Sequence, residues 1–251
     1  MVVFRLWRRF HGVLTLALDT SGDVCVLALG REDVVLGEYR FQHKMSLLRR
    51  LLPNIELLMS DAGYKVSDVE GFIVGLGPGS FTGLRIGVTV AKTLAYSLNK
   101  PIVGVGSLDA LAYSVAPVGT QLMCPMVHAR ADEVYWTIVG CSGGDKIADY
   151  RVSSIGEVAN DIANRNLSTY FCGSAALRHS QFIRERLGEL AVIGNYGAAH
   201  PSGWGLLLLG RQRIVKRERD DPIAITPLYV RKPTPVLRLE SGEIKSSDAL
   251  C

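Results

Sequence analysis

Four glycines fall within nine residues at 75–83, with Pro78 among them. The run Gly75-Leu-Gly-Pro-Gly-Ser-Phe-Thr-Gly-Leu-Arg85 joins an apolar strand pattern at 71–76 to a helical pattern that reaches about residue 98. Glycine loses more conformational freedom on folding than any other residue, so this density demands a structural reason. The run fits a tight strand-to-helix turn in which one backbone passes close to another, or to a ligand, beside the free amides of a helix N-terminus. The helix carries a second constraint. Gly83, Gly87, Ala91 and Ala95 recur at every fourth position, so one face presents almost no side chain. Leu84, Ile86, Val88, Val90 and Leu94 make the rest of it apolar on nearly all sides. The expectation is that the stripe is a solvent-facing docking surface for a partner helix, next to a loop that tolerates an anion.

Around this feature the pattern divides into two halves. Alternating apolar stretches at 14–19, 24–29 and 34–41 read as three strands separated by turn residues. A helical pattern at 44–62 follows, with Leu47, Leu48, Leu51, Leu52, Ile55, Leu58 and Met59 on a wide apolar face, Pro53 as an expected bend or break, and Gly63 as its stop. The glycine turn, its helix, a strand at 102–105 and a short helix at 107–113 complete the first half. A looser copy begins near residue 118. It has strands at 122–127, 134–139, 147–152 and 169–172, and helices at 155–163, 175–187 and 204–215. The order β-β-β-α-β-α, twice, implies an α/β chain with two mixed sheets and helices packed on them. The expected division is an arm at 1–13, a first subdomain at 14–117, a second at 118–235 and a polar tail at 236–251.

Charge and cysteine content narrow the partners. The net charge of +4 owes three units to Arg5, Arg8 and Arg9, and the remaining lysines and arginines nearly balance the 24 acidic residues. The main body therefore carries no strong polyanion footprint. The arm at 1–13 is interrupted by arginines before an apolar leader core forms, and reads as a surface arm or a misassigned start. Five scattered cysteines without a CxxC pair point to free thiols in a reducing compartment. No apolar stretch reaches the roughly 18 residues of a membrane span.

Few residues assemble into a catalytic pattern. The glycine run lacks the Lys-Ser/Thr of a phosphate-binding loop, since Leu84-Arg85 follows Gly83. Asp19-Thr20-Ser21-Gly22 is open to two readings: the first phosphate loop of actin-like ATPases, where an Asp meets metal and phosphate, or an ordinary Asp/Ser turn, which is commoner. Ser80 lies outside any G-x-S-x-G frame and suits the N-cap of the following helix, as does Thr82. The five histidines are isolated, without metal-ligand spacing, and His128 is either structural or site-facing. The basic run Arg211-Gln-Arg-Ile-Val-Lys-Arg-Glu-Arg219 reads as a solvated helix face lacking the interleaved aromatics of a nucleic-acid site.

Together, Gly75 to Gly87 of the glycine run, Ala91-Lys92 and Gly104-Val-Gly-Ser-Leu-Asp-Ala-Leu-Ala112 resemble the signature of the bacterial TsaB (YeaZ) family. Ala17-Leu-Asp-Thr-Ser21, Leu51-Leu-Pro53, Ala129-Arg130, Glu133-Val-Tyr135 and Pro227-Leu-Tyr-Val-Arg231 support it. The likeness is dense over residues 14–113 and thin afterwards. It departs from the family at Leu47-Leu48-Arg49, where His-Ser-Glu is frequent, and at His128, where Asp is frequent. The resemblance implies a duplicated RNase H-like fold of the actin and sugar-kinase type. It also implies a cytoplasmic, non-catalytic partner of the TsaD transferase, which puts threonylcarbamoyl on the adenosine beside the tRNA anticodon. Homodimers and heterodimers would form through the first-half helices, a TsaE ATPase would join the pair, and tRNA would be reached through the complex. The expected partner interface is Leu48, Leu51, Leu52, Ile55, Gly83, Gly87, Ala91 and Ala95. The candidate anion or nucleotide loop is Asp19, Thr20, Ser21, Gly77, Gly79, Ser80 and Thr82. No metal and no cofactor of its own is expected, with ATP or ADP at the interface with partner subunits. A small-molecule kinase and a glycoprotease-like peptidase are the competing functions.

Overall fold

Strand β1 (Leu14–Asp19) is buried along its whole length: Leu14, Leu16 and Leu18 enter the core on one face, and Thr15, Ala17 and Asp19 are buried on the other. It pairs antiparallel with β2 (Val24–Arg31), which pairs antiparallel with β3 (Val34–Gln42). On its other side β1 runs parallel to β4 (Gly71–Gly75), which runs parallel to β5 (Ile102–Val105). The second sheet repeats this wiring with β6 (Leu122–His128), β7 (Glu133–Gly140), β8 (Lys146–Ser154), β9 (Thr169–Cys172) and β10 (Ala191–Ile193). The orders are β3-β2-β1-β4-β5 and β10-β9-β6-β7-β8, so each sheet has the same sequence of strands and the same pairing directions. This is a duplicated RNase H-like α/β architecture. This computed structural model describes residues 12–43, 46–115, 119–142 and 144–230. Most of the arm, the tail beyond 230 and residues 116–118, which include the expected boundary between 117 and 118, lie outside them.

Helices α1 (Leu47–Asp61) and α2 (Phe81–Ser97) cover one face of the first sheet, where Leu51, Ile55, Leu58, Val88, Ala91 and Ala95 join one core with Leu16, Leu18 and Phe72. Pro53 does not break α1. It sits in mid-helix with its ring exposed, so the helix forgoes one amide donor and continues. The opposite face is covered from far along the chain. Helix α7 (Gly203–Val215) packs Leu206, Leu207 and Ile214 on Ala17, Val26, Ile73 and Val103 of the first sheet. The second unit, expected to extend to residue 235, therefore gives this helix back to the first. In exchange, Leu108 and Leu111 of α3 (Ser107–Ala112) lie against Cys172, Val127 and Tyr135 of the second sheet. The other side of that sheet is covered by α4 (Ile155–Arg165) and α6 (Ser180–Leu187). The single helix expected at 175–187 is two, α5 (Ser174–Arg178) and α6, which meet at the non-helical His179.

Candidate functional site

Turn 19–22 and the start of α2 meet at the C-terminal ends of β1 and β4. Gly79 and Gly83 let them meet. A Cβ at Gly79 would stand 2.2 Å from the Ser21 carbonyl oxygen, and one at Gly83 2.2 Å from that of Thr20. One at Gly87 would lie 2.1 Å from Thr20 Oγ1. Hydrogen bonds close the seam: the Ser80 amide donates to Ser21 O (2.7 Å) and Thr20 Oγ1 to Gly83 O (2.8 Å). Ser80 also caps α2, accepting the Gly83 amide at 3.2 Å.

This overturns one expectation. The stripe of Gly83, Gly87, Ala91 and Ala95 does not face solvent; Ala91 is 0% and Ala95 1% exposed within the chain's own fold. Helical periodicity identified the face correctly, but what approaches it is the chain's own first turn and sheet. Leu51 and Ile55 are core residues for the same reason. Of the expected interface, Leu48 (70% exposed) and Leu52 (47%) point outward, one turn apart on α1.

Asp19 is spent internally. Its Oδ1 accepts the Ser21 amide (2.9 Å) and hydroxyl (2.6 Å), and its Oδ2 accepts the Ser107 hydroxyl (2.5 Å). Ser107 Oγ also accepts the Gly77 amide (2.9 Å), and the Ser107 amide donates to Gly77 O (2.8 Å). Gly77, before a cis Gly77–Pro78 bond, thus belongs to a buried tie between β4 and α3. A Cβ at Gly75 would strike Asp19 Oδ2, so this glycine admits the carboxylate. Asp19-Thr20-Ser21-Gly22 forms an Asp/Ser turn through the two Ser21 hydrogen bonds, and the Ser107 hydroxyl ties the same carboxylate to α3.

A cleft of about 480 Å³ lies beside this seam. Ser21, Gly22, Asp23, Gly79, Ser80 and Phe81 form one wall and Val127, His128, Arg130 and Ser174 the other. Asp19, Thr20, Gly77 and Thr82 do not line it. His128 is site-facing, exposed at the end of β6. Residues 228–230 also line it: the Leu228 amide donates to Leu76 O (2.8 Å), and the Tyr229 ring sits 5.3 Å from that of Phe81. Arg85 lies over Phe81 at 3.9 Å and donates to the Tyr229 hydroxyl at 3.2 Å. Sequence reasoning missed Phe81, Arg85, Ser107 and Tyr229 as site residues, although Pro227-Leu-Tyr-Val was a visible motif. Among the described residues, no three His, Cys, Asp or Glu side chains come together as a metal site. Burial pushes the Cys25, Cys124 and Cys172 thiols well up, away from thiolate chemistry.

Comparison with known proteins agrees with this fold. The family model described as "TsaD: tRNA N6-adenosine threonylcarbamoyltransferase" matches residues 44–214. The tRNA threonylcarbamoyladenosine biosynthesis protein TsaB of Bacillus subtilis is 32% identical over 86% of this chain and 93% of its own length. Its counterpart in Haemophilus influenzae is 26% identical over 91% and 98%. YeaZ from Pseudomonas aeruginosa superposes with a TM-score of 0.68 at 25% identity, covering 86% of this chain and 99% of the other. The chain belongs to the family that this model describes and, within it, to the TsaB (YeaZ) proteins.

Proposed function

We propose that this chain serves tRNA threonylcarbamoyladenosine biosynthesis as a non-catalytic subunit that binds and activates a TsaD-type transferase. The observation that carries the reading is the outer face of α1, where Leu48 and Leu52 expose apolar surface beside α2. Both side chains are free to be buried by a partner without disturbing the core beneath them. The internal use of Asp19 favours this role over a kinase, because the carboxylate that would meet a metal-bound phosphate already accepts three hydrogen bonds. The same face serves a homodimer when the transferase is absent. A TsaE-type ATPase joins the pair, ATP or ADP enters at the interface with partner subunits, and tRNA is reached through the complex. The test is Leu48→Asp with Leu52→Asp. Since both positions are exposed, the melting temperature should hold within a few degrees, while co-elution with the transferase in size-exclusion chromatography should be lost. A double variant that still co-elutes in full would refute the interface.

A further inference from the structure

We propose that the C-terminal end of α7 and the turn after it form a contact surface for RNA, with Lys216, Arg217 and Arg219 on phosphates and Trp204 against a base. The inference rests on the reading of the chain as a tRNA-modification subunit. Nine residues at 211–219 carry five cations, and their pairing separates two groups. Arg213 is engaged: its Nε donates to Glu218 Oε2 (2.9 Å) and its Nη2 to Asp220 Oδ1 (2.9 Å). Arg211 reaches Asp33 at 3.4 Å. Asp221 accepts the Ile223 amide at 2.8 Å. Glu218 and Asp220 are thus both paired with Arg213, whereas Lys216, Arg217 and Arg219 are exposed and make no ion pair among the described residues.

The backbone adds a second observation. Helix α7 ends with the Arg217 amide donating to Ile214 O (2.9 Å) and the Glu218 amide to Arg213 O (2.9 Å), a closing pattern that places Arg217 at φ 60°. Glycine suits that left-handed position, and an arginine there is strained. The helix dipole accounts for a cation at Lys216 but not for Arg217 and Arg219 beyond it.

A third observation extends the surface along the helix. A groove of about 350 Å³ on the outer side of α7 is lined by Trp204, Leu208, Arg211, Gln212, Val215 and Lys216, and by Asp33, whose carboxylate meets Arg211. Trp204 is 38% exposed, and it stands roughly 18 Å from Lys216 along the helix axis. An RNA loop offers phosphates and base faces together and uses both ends of this groove. An acidic protein surface would use only the cations. The groove lies on the opposite face of the first sheet from α1 and α2, so RNA and transferase can be held at once.

The experiment uses the complex of this chain with its TsaD-type transferase, titrated with unmodified tRNA by filter binding between 50 and 200 mM KCl. Reversal of the three charges (K216E, R217E, R219E) should weaken binding about tenfold or more and flatten the salt slope by roughly 2–3, as loss of that many phosphate contacts requires. Arg217→Gly separates charge from folding: it relieves the backbone, so the melting temperature should hold or rise while tRNA binding weakens. Trp204→Ala should weaken binding about fivefold or more with little change in salt slope. Wild-type affinity and slope in the charge-reversed complex would overturn the proposal. So would loss of transferase co-elution with tRNA binding intact, which would make the surface a protein contact. Failure of the wild-type pair to co-elute strikes instead at the subunit role.

Discussion

The two halves share strand order and pairing directions but differ in how their ends are closed. In the first, the loop after β4 leads into a 17-residue helix laid on the turn after β1, with three glycines admitting the Thr20 and Ser21 backbone or side chain. In the second, the loop after β9 leads into a five-residue helix, and at the corresponding place Gly173 sets its Cβ position 2.0 Å from the Met126 carbonyl oxygen. Edge strand β5 is covered by the segment around Asp220, which bridges to Ile102, whereas β10 carries Val192 41% exposed. The same wiring therefore gives one half closed tightly by its own backbone and one more open half. Helical docking surface and close internal packing come from the same small residues, and only the fold decides between them.

The largest effect expected from this contrast is at the glycine seam. Gly87→Leu must push Thr20 away from α2, and Ala91→Arg must bury a charge at a position with no exposure. Each should cost about 3–5 kcal/mol, enough to leave most of the chain unfolded or insoluble. In the second half, Gly156→Ala in the first turn of α4 meets nothing closer than Ser154 Oγ at 3.9 Å. It should be neutral or stabilising by up to about 1 kcal/mol. Urea denaturation of the variants checks both. A soluble Gly87→Leu protein with wild-type stability would show that the first half is not closed as described.

The strands were legible in the sequence because apolar runs bounded by turn residues leave little choice: the patterns at 14–19, 102–105 and 169–172 match β1, β5 and β9 to the residue. Strand β10 was not, since three residues carry no alternation to read. The duplication was visible as element order, while its proof needed strand neighbours. The assignment of α7 failed for a different reason. Its leucines say that one face is buried but not on which sheet, and chain order favoured the nearer one. The stripe on α2 shows the same limit. Thr20 and Gly83 are 63 residues apart, and periodicity within the helix carries no information about what arrives from that distance. Asp19 was recognised as notable, but its role depended on Ser107, 88 residues away.

A middle-sized effect sharpens the contrast between the covered edge and the bare one. Asp220 accepts the Gly104 amide (2.7 Å) and two Arg213 donors, fastening α7 and the segment after it to β5. Burial by itself would raise the Asp220 carboxyl, but hydrogen bonds from Arg213 and Gly104 hold it below the usual carboxylate value. A depressed carboxyl stabilises the fold above its unfolded pKa, near 4, and loses that contribution as pH falls through its folded value. Asp220→Asn should cost about 1 kcal/mol at pH 7, a figure discounted for the pair's partial exposure. The gap from wild type should narrow steadily below about pH 4. A gap that stays constant down to pH 3 would mean that the ionised clamp does not fasten this edge.

The smallest effect lies where the halves meet. His200, on the segment leading into α7, places Nδ1 3.8 Å from the Cβ position of Gly22, so it stands over the turn after β1. Burial lowers its pKa first and the Arg40 charge lowers it further, while Asp23 and Asp19 pull weakly the other way. A histidine lowered in the folded state binds fewer protons there than in the unfolded chain at intermediate pH, so stability rises with pH in that window. The fold should accordingly be at full strength above about pH 6.5 and weaken by a fraction of a kcal/mol as the pH falls below it. His200→Gln removes the titrating group and should flatten this part of the profile without altering the steeper carboxylate region. The measurement is urea stability at closely spaced pH values from 5 to 7.5 for both proteins. Parallel curves would place the histidine in an environment like water and weaken the description of this boundary as packed, whereas a steeper slope in the variant would reverse the sign argued here.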